Sequence, residues 1–141
     1  MSQQMNHPGG APLPPMLQAR LGTYFPGLNL AAIWLHEGVP RYVRGRPRGY
    51  ADRQRIYLAG GWQDEGDAEL LALLAHELVH VQQYRELGTW RFRRAYLQEY
   101  LAGRLRRLGH DAAYRNISFE RAAREMEERV RRDFARNRST A

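Results

Sequence analysis

The chain has 141 residues, of which 43% are hydrophobic and 11% aromatic, a composition that is typical of one globular domain and excludes a chain disordered throughout. It has no cysteine, which excludes disulfides, cysteine-based zinc ribbons and thiol nucleophiles. The formal net charge of +7 comes entirely from residues 85–141, which hold 15 arginines against 8 acidic residues, because residues 1–84 carry 7 of each.

The first residues have the composition of a flexible tail. Residues 1–15 hold four prolines and two glycines among mostly polar side chains, which leaves too little apolar area to order the segment. We therefore predict a tail over residues 1–15 and a single domain over residues 16–138. At the start of that domain, residues 15–23 are expected to form a short helix ending at Gly22, and the apolar residues 28–35 a buried strand.

The next segments predict small β-elements followed by a long helix. Residues 41–53 are rich in arginine, glycine and tyrosine, as in a hairpin or an irregular loop, and residues 55–59 are expected to form a strand closed by two glycines. A helix should begin near Asp64 or Asp67, either of which can cap it, and end at Gly88.

Two further helices are predicted after this one. Residues 89–108 repeat leucine on one face, at Leu97, Leu101, Leu105 and Leu108, and Ser118 can cap a last helix whose apolar residues also recur at helical spacing. The expected fold class is therefore α+β, rich in helix, with a short β-element before the long helix and two helices after it.

The long helix carries the motif His76-Glu77-Leu78-Val79-His80, an HExxH sequence. Residues four apart return to nearly the same helix face, so the two histidines can bind one ion. Glu77 lies roughly 100° around the helix from His76, beside that ion, where it can accept a proton from a water molecule. The spacing predicts a Zn²⁺ site with Glu77 as general base.

The surroundings of the motif favour a buried active-site helix. Residues 70–81 contain no charged side chain except Glu77, and two histidines with a glutamate are costly in an apolar environment without a purpose. The alternative interpretation is a core helix whose histidines hydrogen-bond to backbone and whose Glu77 pairs with an arginine.

A catalytic zinc site usually has three protein ligands, so a residue after His80 should supply one more. We expect Glu120, in the first turn of the last helix, to be this ligand. Glu99 is the main rival, and His110 or Asp111 the remaining alternatives. Tyr114 is expected either to donate a hydrogen bond to a developing oxyanion or to be buried as a core aromatic.

Parts of the sequence resemble a known family. The segment RIYLAGG at residues 55–61, followed by LLAHELVHVQQ at residues 73–83, resembles the small HExxH core domain associated with bacterial extracellular contractile injection systems. The segment FERAA at residues 119–123 is similar to the segment that carries the third zinc ligand in several gluzincin peptidases. The resemblance implies a small zincin-like metallopeptidase domain, and release through a contractile injection apparatus.

These observations lead to two hypotheses about function. The first is zinc-dependent hydrolysis of a peptide bond in a peptide or protein substrate. The second is a zinc-stabilised, non-catalytic module that docks onto an acidic protein or an assembly surface through its arginine-rich C-terminal half. A third possibility is nucleic-acid binding through the basic residues 85–138, but no aromatic stacking motif or known nucleic-acid-binding fold supports it. No apolar run approaches 18 residues and no secretory signal is evident, so we expect no membrane span and a cytoplasmic location.

Overall fold

The computed structural model describes residues 10–64 and 66–139, with side chains as far as residue 136. The strands in this part of the chain are β1 (Gly10–Pro12), β2 (Trp34–Glu37), β3 (Gly49–Asp52) and β4 (Arg55–Leu58). The helices are α1 (Pro15–Leu21), α2 (Ala68–Leu87), α3 (Thr89–Leu105), α4 (His110–Arg115) and α5 (Ser118–Ser139). The predicted α+β class, with its β-element before the long helix, is confirmed.

The four strands form one mixed sheet in the order β1-β2-β4-β3. β2 and β4 are parallel neighbours in the middle, and β1 and β3 pair antiparallel at the two edges. The strand predicted at residues 55–59 is therefore β4, an interior strand. The strand that lies at the free edge beside α2 is β3, within the segment predicted to be a hairpin or an irregular loop.

The predicted boundary of the N-terminal tail is wrong for residues 10–15. Gly10 pairs with His36 in the sheet, and a Cβ atom at this position would lie 2.5 Å from the His36 ring, so the close approach requires glycine. Leu13 is only 1% exposed, and its N–H donates to the carbonyl of Ile33. Residues 1–9, the rest of the predicted tail, lie outside the described residues.

The strand predicted over residues 28–35 is shorter than expected and shifted along the chain. Residues Leu30–Ala32 form a 3-10 turn, in which Ala32 N–H donates to the carbonyl of Asn29. Only Trp34–Glu37 is extended. The apolar run is nevertheless buried, since Leu30, Ile33 and Leu35 all belong to the core.

Helix α2 begins and ends where its capping residues predict. The Asp67 side chain accepts a hydrogen bond from Glu69 N–H, and Gly88 ends the helix with φ 82°, a conformation that favours glycine. Buried side chains lie around most of its circumference, because α2 packs against β3 on one side and α5 on another. The helix that carries the HExxH motif is therefore the centre of the domain.

The leucines of α3 were predicted to face the core, but a different side of the helix does so. Leu97, Leu101 and Leu105 are 55%, 49% and 85% exposed. The buried residues of α3 are Phe92 and Gly103, and the ring of Phe92 contacts those of Tyr84 on α2 and Phe119 on α5. The leucine spacing correctly predicted a helix. The side that is buried is the one with Phe92, because this ring packs against aromatic side chains of α2 and α5.

Helix α4 is short and is a third helix after α2, where the sequence predicted two. It packs closely on α3, because a Cβ atom at Gly103 would lie 3.1 Å from Ala113. α5 then returns along α2, beginning at Ser118 as the capping pattern predicted. Within the described ranges, no helix combines the length and apolarity needed to cross a bilayer.

Candidate metal centre

The two motif histidines lie side by side on α2 and face the first turn of α5. Their ring centroids are 5.1 Å apart. Nε2 of His76 lies 3.2 Å from Oε2 of Glu120, and Nε2 of His80 lies 3.0 Å from Oε1 of the same carboxylate. The structure thus brings together the three residues that the sequence selected as metal ligands.

Glu120 is held in this position by the packing of α5 on α2, and only 3% of it is exposed. One ligand atom from each of the three residues lies within 4.8 Å of the others. In a tetrahedral zinc site with bonds of about 2.0–2.2 Å, neighbouring ligand atoms are separated by about 3.3 Å, close to the two distances observed here. The two separations between histidine and glutamate therefore match those of a zinc site.

The hydrogen bond on the far side of the His76 ring determines which nitrogen can bind a metal. Nδ1 of His76 lies 2.8 Å from Oε1 of Glu127. An ionised carboxylate only accepts hydrogen bonds, so Nδ1 carries the proton. In the neutral ring this leaves the lone pair on Nε2, directed toward Glu120.

The same reasoning applies to His80. The Gln83 amide nitrogen donates to the carbonyl of Phe119, which turns the amide oxygen toward Nδ1 of His80 at 2.9 Å. Nδ1 of His80 is therefore the donor in this bond, and its Nε2 also offers a lone pair to the cluster. Both rings are oriented by contacts that reach α5.

If both rings were neutral, two Nε2 lone pairs and the Glu120 carboxylate at this separation would repel one another, so the cluster requires either protons on the rings or a cation between them. Oε2 of Glu120 is buried, and Nε2 of His76 lies 3.2 Å from it. Burial opposes a positive charge on the His76 ring, but Glu120 and Glu127 outweigh it and raise its pKa to about 10. Burial also disfavours a charge on Glu120, yet the two histidines hold its pKa well below the usual range. These groups fit a divalent cation bound by two histidines and one carboxylate.

Glu77 lies beside the cluster and is almost completely buried, with 4% of its surface exposed. β3 passes directly over it, since a Cβ atom at Gly49 would lie 2.9 Å from Oε1 of Glu77. Burial raises the pKa of Glu77, whereas the neighbouring His80 and His76 act to lower it. A buried carboxylate with a raised pKa is suited to accept and return a proton.

A cavity of about 630 Å³ opens above the cluster. Its wall includes residues of β3, residues 43–45 and 47, Tyr96 of α3 and Tyr114 of α4. The hydroxyl of Tyr96 donates to Oε1 of Glu120 at 3.1 Å. Tyr114, expected to be either an oxyanion donor or a buried core aromatic, is 39% exposed and so is not a core aromatic. It lines the same cavity, and partial burial together with Glu120 raises the pKa of its hydroxyl. Both tyrosines are therefore hydrogen-bond donors at neutral pH.

The other residues considered as third ligand have different partners. The Glu99 carboxylate binds the Ser118 hydroxyl at 2.7 Å and its N–H at 3.3 Å, so it caps α5. His110 bonds to the hydroxyl of Tyr100 at 2.9 Å, and Asp111 is exposed at the cavity rim. Within the described residues, the group whose ligand atoms converge contains Glu120 and none of these three.

Four residues that contact the cluster or Glu77 were not predicted from the sequence. Gln83 follows His80 by three positions and Glu127 follows Glu120 by seven, so helical spacing carried a signal for both. Tyr96 and Gly49 gave no such signal, because their positions depend on how α3 and β3 pack against α2.

Comparison with known proteins identifies one family. A family model described as the eCIS core domain matches residues 12–88, which extend from β1 to the residue that ends α2. No curated protein and no solved structure matches the chain. The matched region contains the HExxH motif but not Glu120, which lies on α5 beyond it.

Proposed function

Since this chain belongs to the eCIS core domain family, which is associated with extracellular contractile injection systems, we propose that it is a zinc-dependent peptidase of such a system. The observation that supports this proposal best is the convergence of His76, His80 and Glu120 beside the buried carboxylate of Glu77. An HExxH helix completed by a glutamate from a later helix is the ligand pattern of a zincin-like, gluzincin-type metallopeptidase. The chemistry proposed is hydrolysis of a peptide bond.

Zinc, when bound, acts as a Lewis acid toward a carbonyl group and makes a water molecule acidic near neutral pH. The chain supplies the proton carrier for this reaction. Glu77 accepts the proton of the attacking water on its carboxylate and then gives it to the amine that leaves. Its burial supports this cycle, because a raised pKa makes the protonated form accessible.

The free edge of β3 suits an extended peptide. Ala59 N–H donates to the carbonyl of Arg48, so hydrogen-bonded pairs alternate along the hairpin and the peptide groups of Gly49 and Ala51 point away from β4. A substrate that pairs with this edge lies across the cavity beside Glu77. The proposed substrate would therefore lie beside β3, one strand farther out than β4.

Tyr114 and Tyr96 are the candidates for stabilising negative charge on the substrate carbonyl oxygen. Both line the cavity, and burial raises the pKa of both hydroxyls, so each can donate a hydrogen bond. Tyr114 is the residue proposed to face substrate, because it is 39% exposed at the cavity, whereas the Tyr96 hydroxyl donates to Glu120.

The test is Glu77→Gln, which keeps the shape of the side chain and removes its basicity. We expect cleavage of a peptide library to fall by about 10²- to 10⁴-fold, with zinc content and melting temperature unchanged. Glu86→Gln, at an exposed position on the same helix, is the matched control and should cleave like the wild type. Equal cleavage by the Glu77→Gln variant and the wild type, or none by either, would contradict the peptidase proposal.

A second candidate function is docking onto an injection-system component, and the exposed apolar face of α3 favours it. Trp90, Leu97, Leu101 and Leu105 form this face, and Trp90 is 81% exposed. Six arginines lie on or just after α3, whereas its one acidic residue, Glu99, is engaged by Ser118. An acidic amphipathic helix is the complementary partner, and a second copy of this chain would bring arginine against arginine.

Docking is tested with a synthetic helical peptide that carries leucine at four-residue spacing and glutamate at the flanking positions. We expect it to bind the wild type and to lose binding to the double variant Leu97→Ser, Leu101→Ser. A peptide with lysine in place of glutamate should not bind. Binding of both peptides, or of neither, contradicts docking by this face.

A further inference from the structure

The carboxylate behind His76 belongs to a chain of charged contacts that leads from the metal cluster to the surface. Glu127 accepts from Nδ1 of His76 through Oε1, and its Oε2 accepts from Arg131 at 2.9 Å. Arg131 also donates twice to Glu69, at 2.8 and 3.0 Å. Glu69 lies in the first turn of α2, the same helix that carries His76.

Burial decreases along this chain of contacts. The side chains of His76, Glu127, Arg131 and Glu69 are 14%, 23%, 28% and 49% exposed. The charge nearest the cluster is therefore the least screened by water, so Glu127 acts on the His76 ring more strongly than an exposed carboxylate would. Arg131 fixes the Glu127 side chain from the opposite side and limits its rotamers.

The two histidines differ in what supports them. His76 donates to a carboxylate, whereas His80 donates to the neutral amide of Gln83. A carboxylate acceptor increases the electron density of an imidazole ring and makes its other nitrogen a better metal ligand, while an amide mainly orients the ring. Glu127 is therefore expected both to orient the His76 ring and to make its Nε2 a better metal ligand.

We propose that Glu127 is a positioning residue whose negative charge sets the affinity of the His76-His80-Glu120 cluster for a divalent cation. This inference rests on the metal site of the proposed function, but it does not depend on peptide cleavage. It also gives Arg131 a role, since the guanidinium holds the carboxylate at the ring. The Arg131 contacts with Glu69 join α2 to α5 without Glu127, so the structural cross-link and the effect on the metal are separable.

The experiment measures zinc affinity by competition with a chromophoric chelator at one fixed pH. Glu127→Gln keeps an oxygen that accepts from Nδ1 and removes the charge, and Glu127→Ala removes both. Glu128→Gln is the matched control, because Glu128 contacts Arg131 but is 57% exposed and does not contact His76. Melting of the metal-free proteins and far-UV circular dichroism show whether each variant folds.

We expect zinc affinity to fall about tenfold in the Glu127→Gln variant and up to about 100-fold in the Glu127→Ala variant, with the Glu128→Gln control within about twofold of the wild type. Affinity of the Glu127→Gln variant equal to that of the wild type overturns the inference, whatever the alanine variant does, because the hydrogen bond alone would then suffice. If the alanine variant does not fold, the glutamine variant decides. A wild type that binds no zinc overturns the proposed function as well, whereas zinc binding indifferent to Glu127 overturns this inference alone.

Discussion

Replacing Gly49 with alanine tests the contact between β3 and the proposed general base. The added Cβ atom would lie 2.9 Å from Oε1 and 3.2 Å from Cγ of Glu77, and 3.2 Å from Cδ1 of Leu73. An ordinary contact needs about 3.5 Å, so the Glu77 side chain has to move by roughly half an ångström. None of these three nearest atoms belongs to a proposed metal ligand.

The expected effect on catalysis follows from that displacement. A shift of about 1 Å in a catalytic group costs about 10²-fold in rate, so roughly half of it should lower kcat about tenfold. Overpacking should also cost about 1 kcal/mol of stability. Zinc content should stay at the wild-type value.

The assay compares kcat, zinc content and melting temperature of Gly49→Ala with those of Gly60→Ala. Gly60 follows β4, and a Cβ atom there would meet nothing within 4 Å. The control should match the wild type in kcat and zinc content. A kcat for the Gly49→Ala variant within twofold of the wild type, or loss of its zinc, would refute the placement of Glu77 under β3.

Three further predictions follow from the site and the core. Glu120→Gln should lower zinc content far more than Glu99→Gln in metal analysis, and the reverse order would move the third ligand to α3. In the metal-free protein, the pKa of His76 is raised from 6.5 to about 10. The protonated His76 ring therefore stabilises the fold, fully below pH 6.5, and this contribution is lost as the pH rises through 10. The melting temperature of the metal-free protein should therefore fall from pH 6.5 to 10, while the increase produced by zinc grows, and scanning calorimetry showing the opposite trend would contradict it. Leu78→Ala should cost about 2–5 kcal/mol in urea unfolding and Leu101→Ser little, because Leu78 is fully buried and Leu101 is half exposed.

The features that could be predicted from the sequence are those with local causes. Asp67 and Gly88 set the ends of α2 through capping and through a backbone conformation that glycine adopts easily. The four-residue spacing of His76 and His80 placed both rings on one face by helix geometry alone. The choice of Glu120 needed more than local causes: zinc chemistry requires a third ligand, and the segment around Glu120 is similar to the one that carries this ligand in several gluzincin peptidases.

The features that could not be predicted depend on packing between distant segments. The leucines of α3 have the spacing of a buried face, yet they are exposed. The helix instead packs through Phe92, whose ring contacts aromatic side chains of α2 and α5. β3 is four residues long and includes a glycine, so its strand propensity is weak and its pairing with β4 defines it. Gly10 likewise gave no signal of its contact with the ring of His36.

The measurement that tests the central claim most directly is anomalous diffraction at the zinc edge from crystals of the zinc-loaded protein. The account predicts one zinc ion bonded to Nε2 of His76, Nε2 of His80 and the carboxylate of Glu120, with Glu77 beside it and unbonded. An ion held by other residues, or no anomalous peak between these side chains in protein grown with excess zinc, would contradict it.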